Sequence, residues 1–258
     1  MLPAHVARGP DVRSARKKQS NMAGRGGLVR KPDNTGWIWN SGLLSLEEKA
    51  LTEKADAGVS RLSADLRLEP AREPLHWDMD IKKTCGIGPG LVFARCLRTM
   101  MRNRHVILVP CAVGGTRMDE WDAQGDLYTG MLRRFAAARR QAAMAAGVLW
   151  YQGESDALHE ADAMAYECKL LDFLTRLRGD VGERIVVVIV SCSSSPESKL
   201  PFVDIVRQAQ RTVCGTLGLP CVDTQGSLFL EDGVHLASPS VIRLGQQLAE
   251  VFYAEFES

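Results

Sequence analysis

A chain of 258 residues, 45% apolar and 24% charged, has the mass and composition of one large α/β domain around a single core. Lys plus Arg number 32 against 31 acidic residues, a net charge of +1, which excludes a one-signed field that would recruit nucleic acid or an anionic membrane. No stretch reaches the roughly 18 apolar residues that a membrane helix needs.

The seven cysteines form no C-x-x-C pair and fall mostly within apolar runs. They read as small buried hydrophobes in a reduced compartment, and the expected location is cytoplasmic. The amino terminus shows no apolar signal-peptide core.

Residues 1–18 are basic and carry no periodic apolar pattern, so a disordered leader is expected there, followed by one domain over 19–258. Residues 24–84 read as irregular, broken by Gly26, Gly27, Pro32, Gly36, Pro70 and Pro74. Trp37, Trp39 and Trp77 are scattered through this stretch. They read either as a satellite cluster under long loops, the commoner fate, or as a wall on which a sugar ring could stack.

From Gly86 the pattern becomes regular. Leu91, Ala94, Leu97 and Met101 recur at helical spacing after Gly88-Pro89-Gly90, and Val106–Val109 reads as a short buried strand leading to Gly114-Gly115. A second helix aligns Leu127, Met131, Phe135, Ala138, Ala142 and Ala145 and stops at Gly147. Val148–Tyr151 is the next strand, and it delivers Gln152. Ala163, Tyr166, Leu170, Phe173, Leu174 and Leu177 mark a third helix.

Ile185–Val190 is an unbroken β-branched run, as a strand buried on both faces requires. Phe202, Val206, Ala209, Val213 and Leu217 mark a fourth helix, Leu219–Val222 a last strand, and Ser238-Pro239 opens the final helix. Strands alternating with helices imply right-handed βαβ units and a parallel sheet, with ligands outside the carboxyl ends of the strands. Gly115, Gln152 and the Asp232–His235 turn each follow a strand and should gather on that edge.

The candidate chemistry is nucleophilic. Ser20 lies in the polar, glycine-rich turn Lys18–Gly24, and a serine hydroxyl becomes a nucleophile only when a base orients and removes its proton. Two D-x-x-H pairs could supply that base, Asp156–His159 and Asp232–His235. The second follows the last strand, has Gly233 for a tight turn and precedes a capped helix. The first begins a helix, where a solvated pair is the plain reading. No G-x-S-x-G elbow is present, which argues against the α/β-hydrolase solution. His and Cys show no metal-ligand spacing, so neither metal nor cofactor is expected.

Four blocks in this order, Gln19–Met22 (QSNM), Gly114–Thr116 (GGT), Trp150–Asp156 (WYQGESD) and Asp232–His235 (DGVH), resemble the SGNH-hydrolase superfamily. They are most similar to its sialate O-acetylesterase-like branch, which includes plant carbohydrate esterases related to acetylxylan esterase family six. Ser63–Arg67, Arg72–His76 and Lys83–Gly86 also resemble that branch. The resemblance runs from about residue 19 to the carboxyl terminus. It implies a three-layer flavodoxin-like α/β/α fold with a parallel sheet of order 2-1-3-4-5.

It also implies a serine esterase acting on O-acetyl or other small acyl esters of a carbohydrate. Ser20 is then the nucleophile, His235 the base and Asp232 its orienting carboxylate. The Ser20 and Gly115 N–H groups and the Gln152 amide form the oxyanion hole. Gln19, Asn21 and Glu154 join this oxyanion and substrate-binding set, with Glu154 either positioning its loop or serving as a second acid partner of His235.

The chain departs from the pattern just before Gln19. Arg13-Ser14-Ala15-Arg16-Lys17-Lys18 stands where the family runs an apolar strand into its nucleophile block, so the first strand is read as missing or replaced. An inactive, carbohydrate-binding relative is the competing expectation.

Overall fold

The computed structural model describes residues 20–257, except 34, 41, 43, 53–55, 103, 142–146, 183–185, 193, 197 and 199, and of Ser20 it describes the backbone alone. The leader 1–18, Gln19, the Ser20 side chain and the expected core positions Ala142, Ala145 and Ile185 therefore lie outside the described residues.

The chain opens on a single helical turn, α1 (Ser20–Ala23), followed by an antiparallel hairpin of β1 (Leu28–Arg30) and β2 (Trp37–Trp39). After α2 (Leu46–Thr52), β3 (Val59–Leu62) pairs antiparallel with β4 (Leu68–Pro70). These elements of 3–7 residues occupy the stretch expected to be irregular. They are too short to show a period in sequence.

The regular region follows the expected alternation. It comprises α3 (Pro89–Met100), β5 (Val106–Leu108), α4 (Asp126–Arg139), β6 (Gly147–Tyr151), α5 (Glu160–Val181), β7 (Val186–Ser191), α6 (Val203–Leu217), β8 (Cys221–Asp223) and α7 (Ser238–Glu257). Pro89 opens α3, where its missing N–H has no helical partner to lose. Gly218 ends α6 in the left-handed conformation.

β5 pairs parallel with β3, while β6, β7 and β8 form a second parallel group. The β7 run shows why an unbroken apolar strand belongs in the middle of a layered fold. Val187 and Ile189 pack into the core under α5 and α6, with Phe173, Leu177, Val206 and Val213. Val188 and Val190 face the other way, into the core shared with α3 and α7 through Leu91, Leu97, Leu244 and Leu248. Fully burying each such side chain contributes about 1.5–3 kcal/mol.

The expected single sheet is described as two three-stranded halves, β4-β3-β5 and β6-β7-β8. Val59 of β3 enters the same core as Val188 and Val222, with Val106 and Leu108 packed against it, so both halves rest on the α3–α7 layer. β5 and β6 each have one bonded neighbour among the described residues, and no described strand joins them.

Candidate active site

Three chain segments meet at Asn21, which is 2% exposed. Its Nδ2 donates to Glu154 Oε1 at 2.7 Å and to the Val234 carbonyl at 3.1 Å. Its Oδ1 accepts the Leu236 N–H at 2.8 Å. The residue after Ser20 is thus tied to both residues that flank His235, more than 200 positions away in sequence. A buried amide with three partners is a fixed joint, because every partner it lost would be left unpaired away from water.

The Asp232–His235 turn is built from its own carboxylate. Asp232 Oδ1 accepts the Val234 and His235 N–H groups at 3.0 and 2.9 Å, and Oδ2 bonds His235 Nδ1. Gly233 at φ 69° lets the chain turn within four residues, and its carbonyl accepts the Ser195 N–H at 2.8 Å. Burial pushes the Asp232 carboxyl upward. The His235 hydrogen bond and charge, with the two backbone donors, outweigh that and hold it well below the usual carboxylate range. A carboxylate bonded to Nδ1 directs the imidazole's other nitrogen away from it, as a general base requires.

The other D-x-x-H sequence makes no such pair. Asp156 is buried and turns inward, accepting the Met118 N–H at 3.1 Å and Gln152 Nε2 at 2.6 Å, while His159 is exposed at the start of α5. Burial pushes the Asp156 carboxyl up to about 6, and the Met118 and Gln152 donors offset part of that shift. Of the two sequence candidates, Asp232–His235 is the one whose carboxylate and imidazole are hydrogen-bonded to each other.

Gln152 and Glu154 are both buried and bonded within the protein. Gln152 is 0% exposed. Its amide hydrogens go to Thr116 O at 3.2 Å and to Asp156, and its Oε1 accepts the Tyr166 hydroxyl at 2.9 Å. With both hydrogens bonded inside the protein, it ties the end of β6 to the Gly114–Thr116 turn. Gln210 Nε2 and Tyr166 Oη both bond the Gln152 carbonyl, so the tie reaches α5 and α6. Glu154, 1% exposed, takes Asn21 as partner and is a loop-positioning group in this geometry.

Gly115 is buried at φ 93°, a conformation a side chain would strain, and its N–H makes no hydrogen bond to another described residue. Beneath this turn lies a pair that sequence reasoning missed. Arg25 Nη2 meets Asp80 Oδ2 at 2.5 Å, with both side chains at most 6% exposed. A Cβ on Gly114 would stand 2.5 Å from that Asp80 oxygen and 2.6 Å from Arg25 Nη2. The pair is therefore pressed against the glycine turn. Lone Arg and Asp residues 55 apart give no sequence signal; only folding makes them neighbours. Nearby, burial and the charges of Arg25, Arg61 and Arg134 press His76 down to about 3, which keeps its ring neutral.

These groups sit at the carboxyl ends of the parallel strands: Gly115 beyond β5, Gln152 directly after β6, and His235 beyond β8. A layered α/β fold with a parallel sheet and a carboxylate–imidazole pair at that edge is of the class that binds its ligands beyond the carboxyl ends of its strands. The comparison with known proteins narrows this class. The model of the carbohydrate esterase, sialic acid-specific acetylesterase family matches residues 17–254, and the chain belongs to that family.

A probable carbohydrate esterase of Arabidopsis thaliana is 36% identical over 247 residues, spanning 92% of this chain and 88% of that protein. The X-ray structure of that Arabidopsis protein superposes with a TM-score of 0.82, covering 93% of this chain and 97% of its own. NanS shares the fold at 15% identity, with a TM-score of 0.67 over 94% of this chain and 97% of its own. A carbohydrate acetylesterase from Xanthomonas citri does so at 18% identity, with a TM-score of 0.59 over 80% of this chain and 52% of its own. Among the described residues no helix is long and apolar enough to cross a membrane, and no His, Cys, Asp and Glu group is placed to hold a metal ion.

Proposed function

We propose that this chain is a serine esterase that removes O-acetyl or similarly small acyl groups from a carbohydrate. Ser20 attacks the acyl carbonyl, His235 takes the serine proton and returns it to the departing sugar hydroxyl, and Asp232 holds the imidazole in the required tautomer. Water then enters by the same base and releases the acid. The observation that carries this reading is the Asn21 joint, which fixes the residue after Ser20 to Val234 and Leu236, on either side of the Asp232-bonded His235.

The N–H groups of Ser20, at the first position of α1, and of Gly115 are the oxyanion donors in this reading. The first N–H groups of a helical turn have no partner within it. Each such donor is worth about 3 kcal/mol of barrier. Membership of a carbohydrate esterase family supports the substrate class.

Turnover of p-nitrophenyl acetate by the full chain, compared with Ser20→Ala, tests the chemistry. The substitution is expected to lower kcat by roughly three orders of magnitude or more. Covalent labelling by a fluorophosphonate probe should be lost with it. A full chain that neither labels nor turns over acetyl esters would be a non-catalytic relative.

A further inference from the structure

Among the described residues, Trp77 is the large aromatic side chain left most open to solvent. It is 54% exposed, unlike Trp121 and Trp150, which are 2% and 4% exposed in the core. Of the two expectations for the tryptophans of the early region, loop core therefore fails for this one. An exposed indole is ordinarily mobile, but here the backing is fixed. The Arg61 guanidinium lies 5.5 Å from the ring centroid, and Arg61 is 0% exposed.

Arg61 is itself fixed without help from Trp77. Its Nε bonds Glu69 Oε1 at 2.6 Å, its Nη2 bonds Asp78 Oδ2 at 2.5 Å, and its Nη1 bonds the Leu75 carbonyl. Asp78 Oδ2 also accepts the Ala64 N–H at 2.8 Å, which ties the Trp77 turn to the end of β3. The N–H groups of Met79 and Asp80 both bond the His76 carbonyl at 3.0 Å, closing the turn on its other side.

The position is as specific as the support. Three residues after Trp77, Asp80 presses against Gly114 beside the proposed oxyanion donor Gly115. The turn that carries the indole is thus tied to the carboxyl end of β3 through Asp78 and reaches the Gly114 turn through Asp80, while the indole itself, over half exposed, lies against the Arg61 guanidinium.

We infer that Trp77 is a sugar-stacking platform that seats a pyranose ring of the substrate beside the acyl group to be removed. A pyranose presents a flat patch of C–H groups and a polar rim of hydroxyls. The patch matches an indole face, and the rim matches the exposed Asp65 and Lys82 near that turn. A preordered ring loses little conformational freedom when it binds, so its rigidity favours this use. The inference rests on the esterase reading and names the part of the substrate that the chemistry does not touch.

The test compares the full chain with Trp77→Ala and Trp77→Phe on two kinds of ester. One is p-nitrophenyl acetate, which has no sugar. The others are chemically acetylated xylo-, manno- and galacto-oligosaccharides and acetylated sialic acid. Trp77→Ala should raise KM for at least one acetylated saccharide about tenfold, with kcat and all p-nitrophenyl acetate kinetics unchanged, and Trp77→Phe should recover most of the loss.

Equal effects on both ester types, or no effect on any saccharide, would overturn the platform. A full chain that binds the unacetylated saccharides with Trp77-dependent fluorescence quenching, yet hydrolyses no ester, would retain the platform and remove the esterase. Urea unfolding of Trp77→Ala should match the full chain, because Arg61 keeps its three acidic and carbonyl partners.

Discussion

Asn21→Ala is expected to be among the most damaging single changes outside the apolar core. It deletes three hydrogen bonds at 2.7, 3.1 and 2.8 Å and leaves Glu154, the Val234 carbonyl and the Leu236 N–H without that partner in a site only 2% exposed. A buried hydrogen bond contributes about 0.5–1.5 kcal/mol net, and more where the partner is charged or is left unpaired, so the sum is about 3–5 kcal/mol. A domain's whole stability is about 5–15 kcal/mol, so the variant should lose a large part of its margin. Urea unfolding followed by circular dichroism should show the midpoint falling with little change in slope, and the thermal midpoint should drop by about 10 °C. Asn21→Asp should do no better, since it keeps an acceptor for Leu236 but sets a carboxylate against Glu154. A loss below about 1 kcal/mol for Asn21→Ala would refute the joint and, with it, the observation on which the esterase reading rests.

Three further outcomes are expected. His235→Ala should abolish acetyl ester turnover, whereas His159→Ala should leave kcat within about twofold because its ring is exposed and unpaired with Asp156; the reverse pattern would move the site to the other turn. Glu73, pushed by burial up to about 8, favours the protonated form when folded, so its contribution to stability is full below its unfolded value near 4.5 and is lost as pH rises toward 8. Glu73→Gln should flatten that decline in a series of urea midpoints, and an unchanged pH profile would count against it. Replacing residues 13–18 with an apolar β-branched run ending in glycine should raise the thermal midpoint, because Arg13, Arg16, Lys17 and Lys18 are charged side chains that cannot fill a strand slot buried on both faces; an unchanged midpoint and unchanged turnover would refute that reading of the leader.

The fold's regular part was legible wherever burial imposes a period. The helix spacing of Leu170, Phe173, Leu174 and Leu177 and the unbroken run of β7 follow from facing one core or two, and all of these residues except the strand's partly exposed first valine are buried. The short strands β1 to β4 were not legible, since three or four residues cannot display a period above chance. The site was legible as blocks whose strand-end positions imply convergence. Their individual roles were not.

What the sequence by itself determined is therefore the alternation of strands and helices and the set of blocks that topology must bring to one edge. It favoured Asp232–His235 over Asp156–His159, and in the structure Asp156 finds backbone and amide donors inside the protein while Asp232 turns to its own histidine. Tertiary structure also decided which partners Gln152 and Glu154 bond inside the protein, that Arg25 and Asp80 underlie the glycine turn, and that Trp77 stands exposed on Arg61. The physical reason is common to all of these. Hydrogen-bond partners and exposure depend on what approaches from distant parts of the chain, and a residue type fixes only what it can donate, accept or bury.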